Sequence, residues 1–377
     1  MSEYQFVVFR AIDAPVSGSN LEYMRRQSSR ATVTSWAFKN EYHFGDFHGD
    51  ALAMLRRGYD FHLHYANYGV RKLMIRLPNG FPDARSAEPY LQAEGLDFIK
   101  DKDGAGGVLQ IQPYLEPGDL DDVWEFDDLV DSLLPLRAEI LEGDLRPLYL
   151  AHLAVASDGN HDPKEEPDAP VPAGLKRLTK AQHALAELYG VSRAVLSAAA
   201  SDSPPLQKKK NADELYTAWL QSQPDALKIA WLSRLMTDPH AAVRSEILAE
   251  YHKNCQAPGW PTQPVDRTIA DIMAAAEGIQ RDEDRDEAEK TARQRAEHLA
   301  KLAADPEATL LQSMELVKQR STEAYSQVAM QLADLREALS GTMQSGLAEE
   351  YARKLRNENP NLRHLTSALR GQGFLKK

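Results

Sequence analysis

Tyr59-Asp60-Phe61-His62-Leu63-His64-Tyr65-Ala66-Asn67-Tyr68-Gly69-Val70-Arg71-Lys72-Leu73-Met74-Ile75-Arg76-Leu77 alternates large apolar residues with polar ones, breaks once, and alternates again. Tyr59, Phe61, Leu63 and Tyr65 fall on one side of an extended chain, while Asp60, His62 and His64 fall on the other. A period of two marks a half-buried strand. Asn67-Tyr68-Gly69 suits a hairpin turn, and the return strand carries Leu73, Ile75 and Leu77 opposite Lys72, Met74 and Arg76. An antiparallel or mixed sheet therefore organises the N-terminal part of the chain.

Working back from this hairpin, Asp50 to Arg57 reads as a short helix. Asp50 suits its N-cap, Arg56 and Arg57 its negative end, and Gly58 the left-handed position that closes it. Thr32 to Tyr42, rich in β-branched and aromatic residues, reads as strand, and Asn20 to Ser28 as a short helix. The nearly all-apolar Tyr4 to Ile12 reads as a strand covered on both faces. Val108 to Tyr114 gives one more strand, after a Gly-rich turn at Gly104 to Gly107. The expected class is α+β, with a ferredoxin-like arrangement as one form of it.

Working forward, the segment from Leu115 to Ser132 holds eight acidic residues and no Lys or Arg. A helix over Leu145 to Ala156 follows, and then Asp158 to Pro172 brings Gly, Asn, charged residues and four prolines, the composition of a linker. Everything beyond reads as helix. Ala181, Leu185 and Leu188 form one apolar stripe, and Ala324, Val328, Leu332, Leu335 and Leu339 form another. Arg267 to Ala303 reads as one long charged helix whose stripe is mostly alanine, so it is expected to lean on another helix or another chain. The expected division is residues 1–157 as the sheet domain with an acidic helical extension, 158–174 as linker, 175–260 as a helical bundle, and 261–377 as the long helix and a helical hairpin.

Composition narrows the function. The chain has 377 residues, 43% hydrophobic and 27% charged, with a formal charge of −12. That balance argues against a protein that coats nucleic acid along its length. One cysteine, Cys255, leaves no internal disulfide and no cysteine-rich zinc site, and suits a reducing cytoplasm. The first residues lack the features of a signal peptide, and no apolar run is long enough to span a bilayer. The expectation is a cytoplasmic protein that does not engage a membrane.

Candidate sites concentrate in His43-Phe44-Gly45-Asp46-Phe47-His48-Gly49-Asp50, between strand and helix. His43, Asp46, His48, His62 and His64 are the ligand types that a divalent metal takes, although no His-Glu-x-x-His or Cys-x-x-Cys motif is present. A plain structural account is equally physical: glycines for turns, Asp46 for a turn hydrogen bond, Asp50 for the helix cap, histidines for a polar sheet face. Residues 1–80 carry ten basic and seven acidic side chains with aromatics among them, a pattern that binds nucleic acid or packs on the acidic segment in cis. The segment Ser28-Ser29-Arg30 lacks a nucleophile elbow, and the Gly104 to Gly107 turn precedes a strand rather than opening a helix, so neither a serine hydrolase nor a nucleotide loop is indicated.

The block Ser28-Ser29-Arg30-Ala31, Phe38-x-Asn40-x-Tyr42, Gly45-Asp46-Phe47-x-Gly49-Asp50, Ala66-Asn67-Tyr68-Gly69 and Arg76-Leu77-Pro78 resembles an uncharacterised family of bacterial proteins. Members share this block, a Pro-Val-Pro-x-Gly-Leu linker (here Pro170 to Leu175) and a charged helical C-terminal half. The resemblance implies partners carrying a SWIM-type zinc finger and implies no activity. Similar proteins often carry Trp or Lys where this chain has Phe44 and His48, which moves interest from the imidazoles to Asn40, Asp46, Asp50, Asn67 and Arg76; with the basic Arg71 these make the expected binding surface. The leading expectation is a non-catalytic scaffold or regulator that binds a protein partner through its helical half and needs no cofactor. A metal-dependent hydrolase or nuclease is the second reading and a nucleic-acid-binding accessory factor the third; self-association through the C-terminal helices is also expected.

Overall fold

The computed structural model describes residues 4–115, 126–206, 212–238, 243–254 and 259–376. Two compact units divide the chain, residues 1–280 and 281–377.

The first unit is built on a seven-stranded sheet, among the described residues, whose pairings are all antiparallel. Its strands are β1 (Gln5–Arg10), β2 (Thr32–Val33), β3 (Ala37–Tyr42), β4 (Phe61–Ala66), β5 (Val70–Leu77), β6 (Leu96–Lys100) and β7 (Gly107–Ile111), in the order β2-β3-β1-β4-β5-β7-β6. The class is α+β, and the sheet takes the antiparallel form. A split βαβ unit of the ferredoxin-like kind needs parallel strands, and none is paired that way among the described residues.

The β4–β5 hairpin turns where the alternation breaks. Gly69 N–H donates to the Ala66 carbonyl at 3.1 Å, and Gly69 takes φ of +102°, a conformation that favours glycine. The stretch Thr32 to Tyr42 divides into two strands, because the Thr34 hydroxyl accepts from Ala37 N–H at 2.9 Å and folds the chain back. The strand β6 was not expected. It pairs with β7 around the Gly-rich turn, where Gly106 lies against the Pro78 carbonyl so closely that a side chain has no room.

Helices cover both sheet faces unequally. On one face, α1 (Gly18–Arg26) and α2 (Ala51–Arg56) bury Met24, Met54 and Leu55 against Val7, Phe9, Phe38 and Met74. Asp50 caps α2 by accepting from Ala53 N–H at 2.9 Å, a contact worth about 1 kcal/mol. The short helix α3 (Ala84–Ala87) follows β5, capped by Asp83. On the other face, Phe6, Val8, Leu63, Leu73, Ile75 and Leu109 pack with α4 (Phe126–Leu133), α5 (Pro135–Leu141), α6 (Arg146–Ala156), α7 (Lys180–Leu188) and α8 (Arg193–Ala199). Every residue of α6 is buried. The acidic segment is partly described: Asp127 of α4 receives Lys39 at 2.7 Å and Arg10 at 3.7 Å, which neutralises basic residues of the sheet in cis. Residues 116–125 lie outside the described residues.

The stretch expected to be a linker, 158–174, is instead part of this unit. Ala169, Val171 and Ala173 are buried, and β8 (Val171–Pro172) pairs with β9 (Thr262–Gln263). Proline keeps a chain extended but does not keep it in water, and here the extended segment lies against α6. Asp168 anchors it, accepting from Arg267 Nε at 2.9 Å and from the Tyr149 hydroxyl at 3.1 Å. Residues 175–260 do not form one bundle either. The helices α7 and α8 join the sheet core, whereas α9 (Ala212–Ser222), α10 (Asp225–Thr237) and α11 (Val243–Asn254) enclose a small separate cluster of Trp219, Trp231, Val243 and Tyr251. The three lysines at 208–210, the residues 239–242 and Cys255 lie outside the described residues.

The long helix α12 (Ile269–Ala304) starts in the first unit, where Ile269, Ile272 and Ala276 are buried. The second unit holds its end with α13 (Pro306–Lys318), α14 (Thr322–Ala338), α15 (Leu347–Glu358) and α16 (Arg363–Gly371). The expected stripe of Ala324, Val328, Leu332, Leu335 and Leu339 is its centre.

Candidate functional site

Strand register assembles the first site. Val7 faces Asn40 on one side and His64 on the other, and His64 faces Lys72. Phe9 likewise faces Phe38 and His62, and His62 faces Met74. Directly opposed residues share a face, so Gln5, Asn40, His62, His64 and Lys72 lie on the side that α1 and α2 cover only in part. The loop over residues 43–50 closes over the rest. Phe47 sits with its ring centroid 5.9 Å from Phe9, 5.8 Å from Phe38 and 6.4 Å from His62.

A hydrogen-bonded chain runs inward from this loop. Gln5, almost fully buried, donates from Nε2 to Asp46 Oδ1 at 2.6 Å and to the Gly45 carbonyl at 3.3 Å. Both of those atoms only accept, so the Gln5 amide is oriented and its Oε1 accepts from His64 Nε2–H at 2.9 Å. The Nδ1 of His64 is left with a lone pair. His62 has the opposite tautomer, because its Nδ1–H donates to the Val8 carbonyl at 3.0 Å while its ring stacks on Phe9 at 4.0 Å. Burial, with the neighbouring His64 and Lys72 charges, lowers His62 to about 3; burial and Lys72 lower His64 to about 4. Both rings are neutral at ordinary pH.

The expected metal cluster does not assemble. His43, Asp46 and His48 are exposed, His43 lies beside Tyr4, and His62 and His64 spend a ring nitrogen each on Val8 and Gln5. Among the described residues no group of three or more His, Cys, Asp and Glu is placed to hold a metal ion.

The expected binding residues divide. Asp46 and Tyr68 meet at 3.4 Å and face solvent. Asp50 is the α2 cap, and its own N–H is held by Gln27 Oε1 at 3.0 Å. Asn67 prolongs the β1–β4 pairing, accepting from Tyr4 N–H at 3.0 Å. Arg71 is buried and donates to the Leu188 carbonyl at 3.0 Å, joining the sheet to α7. Arg76 binds Asp101 at 2.6 Å and the Gly107 carbonyl at 2.7 Å. These two arginines brace the fold and do not present a phosphate-binding face. Asn40 holds its amide nitrogen buried, with no hydrogen-bond partner among the described residues. Lys72 and Gln5 complete the face, but local sequence does not carry their roles: that of Lys72 follows from register with β4, and that of Gln5 from a loop forty residues away.

A second candidate lies on α9–α11. Trp231 of α10 turns inward, while Ile229, Leu232, Leu235 and Met236 are exposed along one side of that helix. Leu235 also borders an apolar groove of about 240 Å³ formed with Tyr216, Trp219, Leu220, Ile247, Leu248 and Tyr251. Arg244 stands at its rim, exposed and without an ion pair among the described residues. That the larger apolar side of α10 faces outward is visible only with Trp231 in place.

Comparison with protein-family models, with curated proteins and with solved structures finds no match. Among the described residues no helix is long and apolar enough to cross a membrane.

Proposed function

We propose that this chain is a non-catalytic interaction protein that binds a protein partner through α9–α11, and that it works in a reducing cytoplasm. The observation that carries the reading is the exposed row Ile229, Leu232, Leu235 and Met236, continuous through Leu235 with an aromatic-lined groove. Four large apolar side chains in one patch are unusual on a surface facing only water. Groove and row together suit an amphipathic helix, whose anchors at i, i+3 and i+7 enter apolar pockets. Arg244 adds a preference for a carboxylate at one end of that helix. Buried anchors of this kind dominate binding, so losing two of them weakens capture by about tenfold or more.

The test compares full-length protein with a Leu232→Glu, Leu235→Glu double variant in affinity capture from cell extract, followed by purified binding of whatever is recovered. We expect a partner bound by the parent protein and lost from the variant, with circular dichroism unchanged. A partner set identical for both proteins, or none for either, overturns the proposal.

A further inference from the structure

We propose that Lys72 is a nucleophilic amine site, built to condense with a small aldehyde or ketone. Lys72 lies on β5, an inner strand with β4 on one side and β7 and β6 beyond it on the other. Lysine on the inside of a sheet face is ordinarily matched by a carboxylate across the strand. Its register partner here is His64, a neutral imidazole. Lys72 is half-buried as a residue, and its ammonium makes no hydrogen bond or salt bridge among the described residues. Asp97 is felt only at a distance, and Asp46 is already taken by Gln5.

Half-burial without a contacting counter-ion among the described residues favours the free amine, and burial does lower the Lys72 pKa against the opposing pull of Asp97. Those are the conditions that turn lysine from a surface cation into a nucleophile. His64 adds a second part. Since its Nε2–H is spent on Gln5, its Nδ1 lone pair is free to accept a hydrogen bond from the attacking amine. The fixed chain Asp46–Gln5–His64 holds that ring in place.

The chemistry balances with the carbonyl compound as the only co-reactant. Lys72 releases its ammonium proton to solvent, the amine nitrogen bonds to the carbonyl carbon, and the carbonyl oxygen takes a proton. A nitrogen proton and the hydroxyl then leave as water, which forms the C=N bond. No oxidant or reductant is required, and the product hydrolyses by the reverse path.

Full-length protein is treated with propanal and sodium cyanoborohydride at pH 7.5, which reduces each imine to a stable secondary amine, and alkylated lysines are quantified by peptide mass mapping. Lys290 and Lys301, both exposed on α12, serve as references within the same molecule. We expect Lys72 to be alkylated at least about fivefold faster than either. Asp97→Asn removes the carboxylate that favours the ammonium and should raise that ratio; His64→Leu should lower it. Alkylation of Lys72 at or below the rate of the reference lysines overturns the proposal, whether the cause is an ordinary amine or a closed site. An unchanged ratio in both variants overturns the role given to its neighbours.

Discussion

His62 shows how one buried side chain leaves a signature in solution. Its ring is packed on Phe9 and held near pKa 3, whereas an unfolded chain titrates near 6.5. Above pH 6.5 neither state binds a proton at this position, and the contribution to stability is complete. As pH falls below 6.5 the unfolded chain takes up a proton that the native ring refuses, so stability declines until the folded pKa is reached. The slope is about 1.4 kcal/mol per pH unit for one such group. Urea denaturation at pH 7 and pH 5 should therefore show the parent protein losing about 2 kcal/mol more than a His62→Phe variant. Equal losses in both proteins would show that the ring is reached by water.

At the scale of elements, the joint between α5 and the sheet is the most demanding. Arg137 is buried and binds Asp13 through two bonds of 2.9 and 2.6 Å. It also binds Asp60 at 3.1 Å, and its Nε donates to the Arg76 carbonyl at 2.8 Å. Burial and the nearby Asp13 charge push the Asp60 pKa up, while Arg137 and two backbone N–H groups oppose them. Removing the cation strands two carboxylates in the interior. Arg137→Leu should cost about 3–5 kcal/mol in denaturant unfolding, and adding Asp60→Asn should recover part of it. A loss below about 1 kcal/mol would mean that the carboxylates find water. The sequence offered no hint of this joint, because its members are separated by more than a hundred residues in the case of Arg137 and Asp13.

The legible elements share one property. The β4–β5 hairpin, the Asp50 cap and the Ala324 to Leu339 stripe are each set by residues within a few positions of one another. β6 was missed because Leu96, Phe98 and Ile99 gain strand geometry from pairing with β7, not from a pattern of their own. The candidate site divides the same way. The loop over residues 43–50 was legible from its density of Gly, Asp and His, but its chemistry was not, since Gln5 and Lys72 complete it from other strands.

Across the whole molecule, the division at residues 280 and 281 falls inside a helix, where the mostly apolar stretch 269–280 gives way to the charged run opening Arg281-Asp282-Glu283-Asp284. Residues 281–298 of α12 are exposed and charged. Brief trypsin treatment should cut first in this stretch, and residues 1–280 prepared alone should unfold cooperatively by circular dichroism. A fragment without cooperative unfolding would show that the first unit depends on the second.

From its sequence alone, this chain had an α+β class, an antiparallel hairpin, several helices with their caps and stripes, and a loop rich in potential ligands. Those features follow from periodicity and from capping chemistry, which act over one or two turns of chain. The tertiary structure alone decided that the supposed linker is core, that Arg71 and Arg76 are braces, that the imidazoles face separate acceptors, and that Lys72 has no contacting counter-ion among the described residues. Each of these depends on which distant atoms meet and on how much water they exclude, and local sequence carries neither quantity.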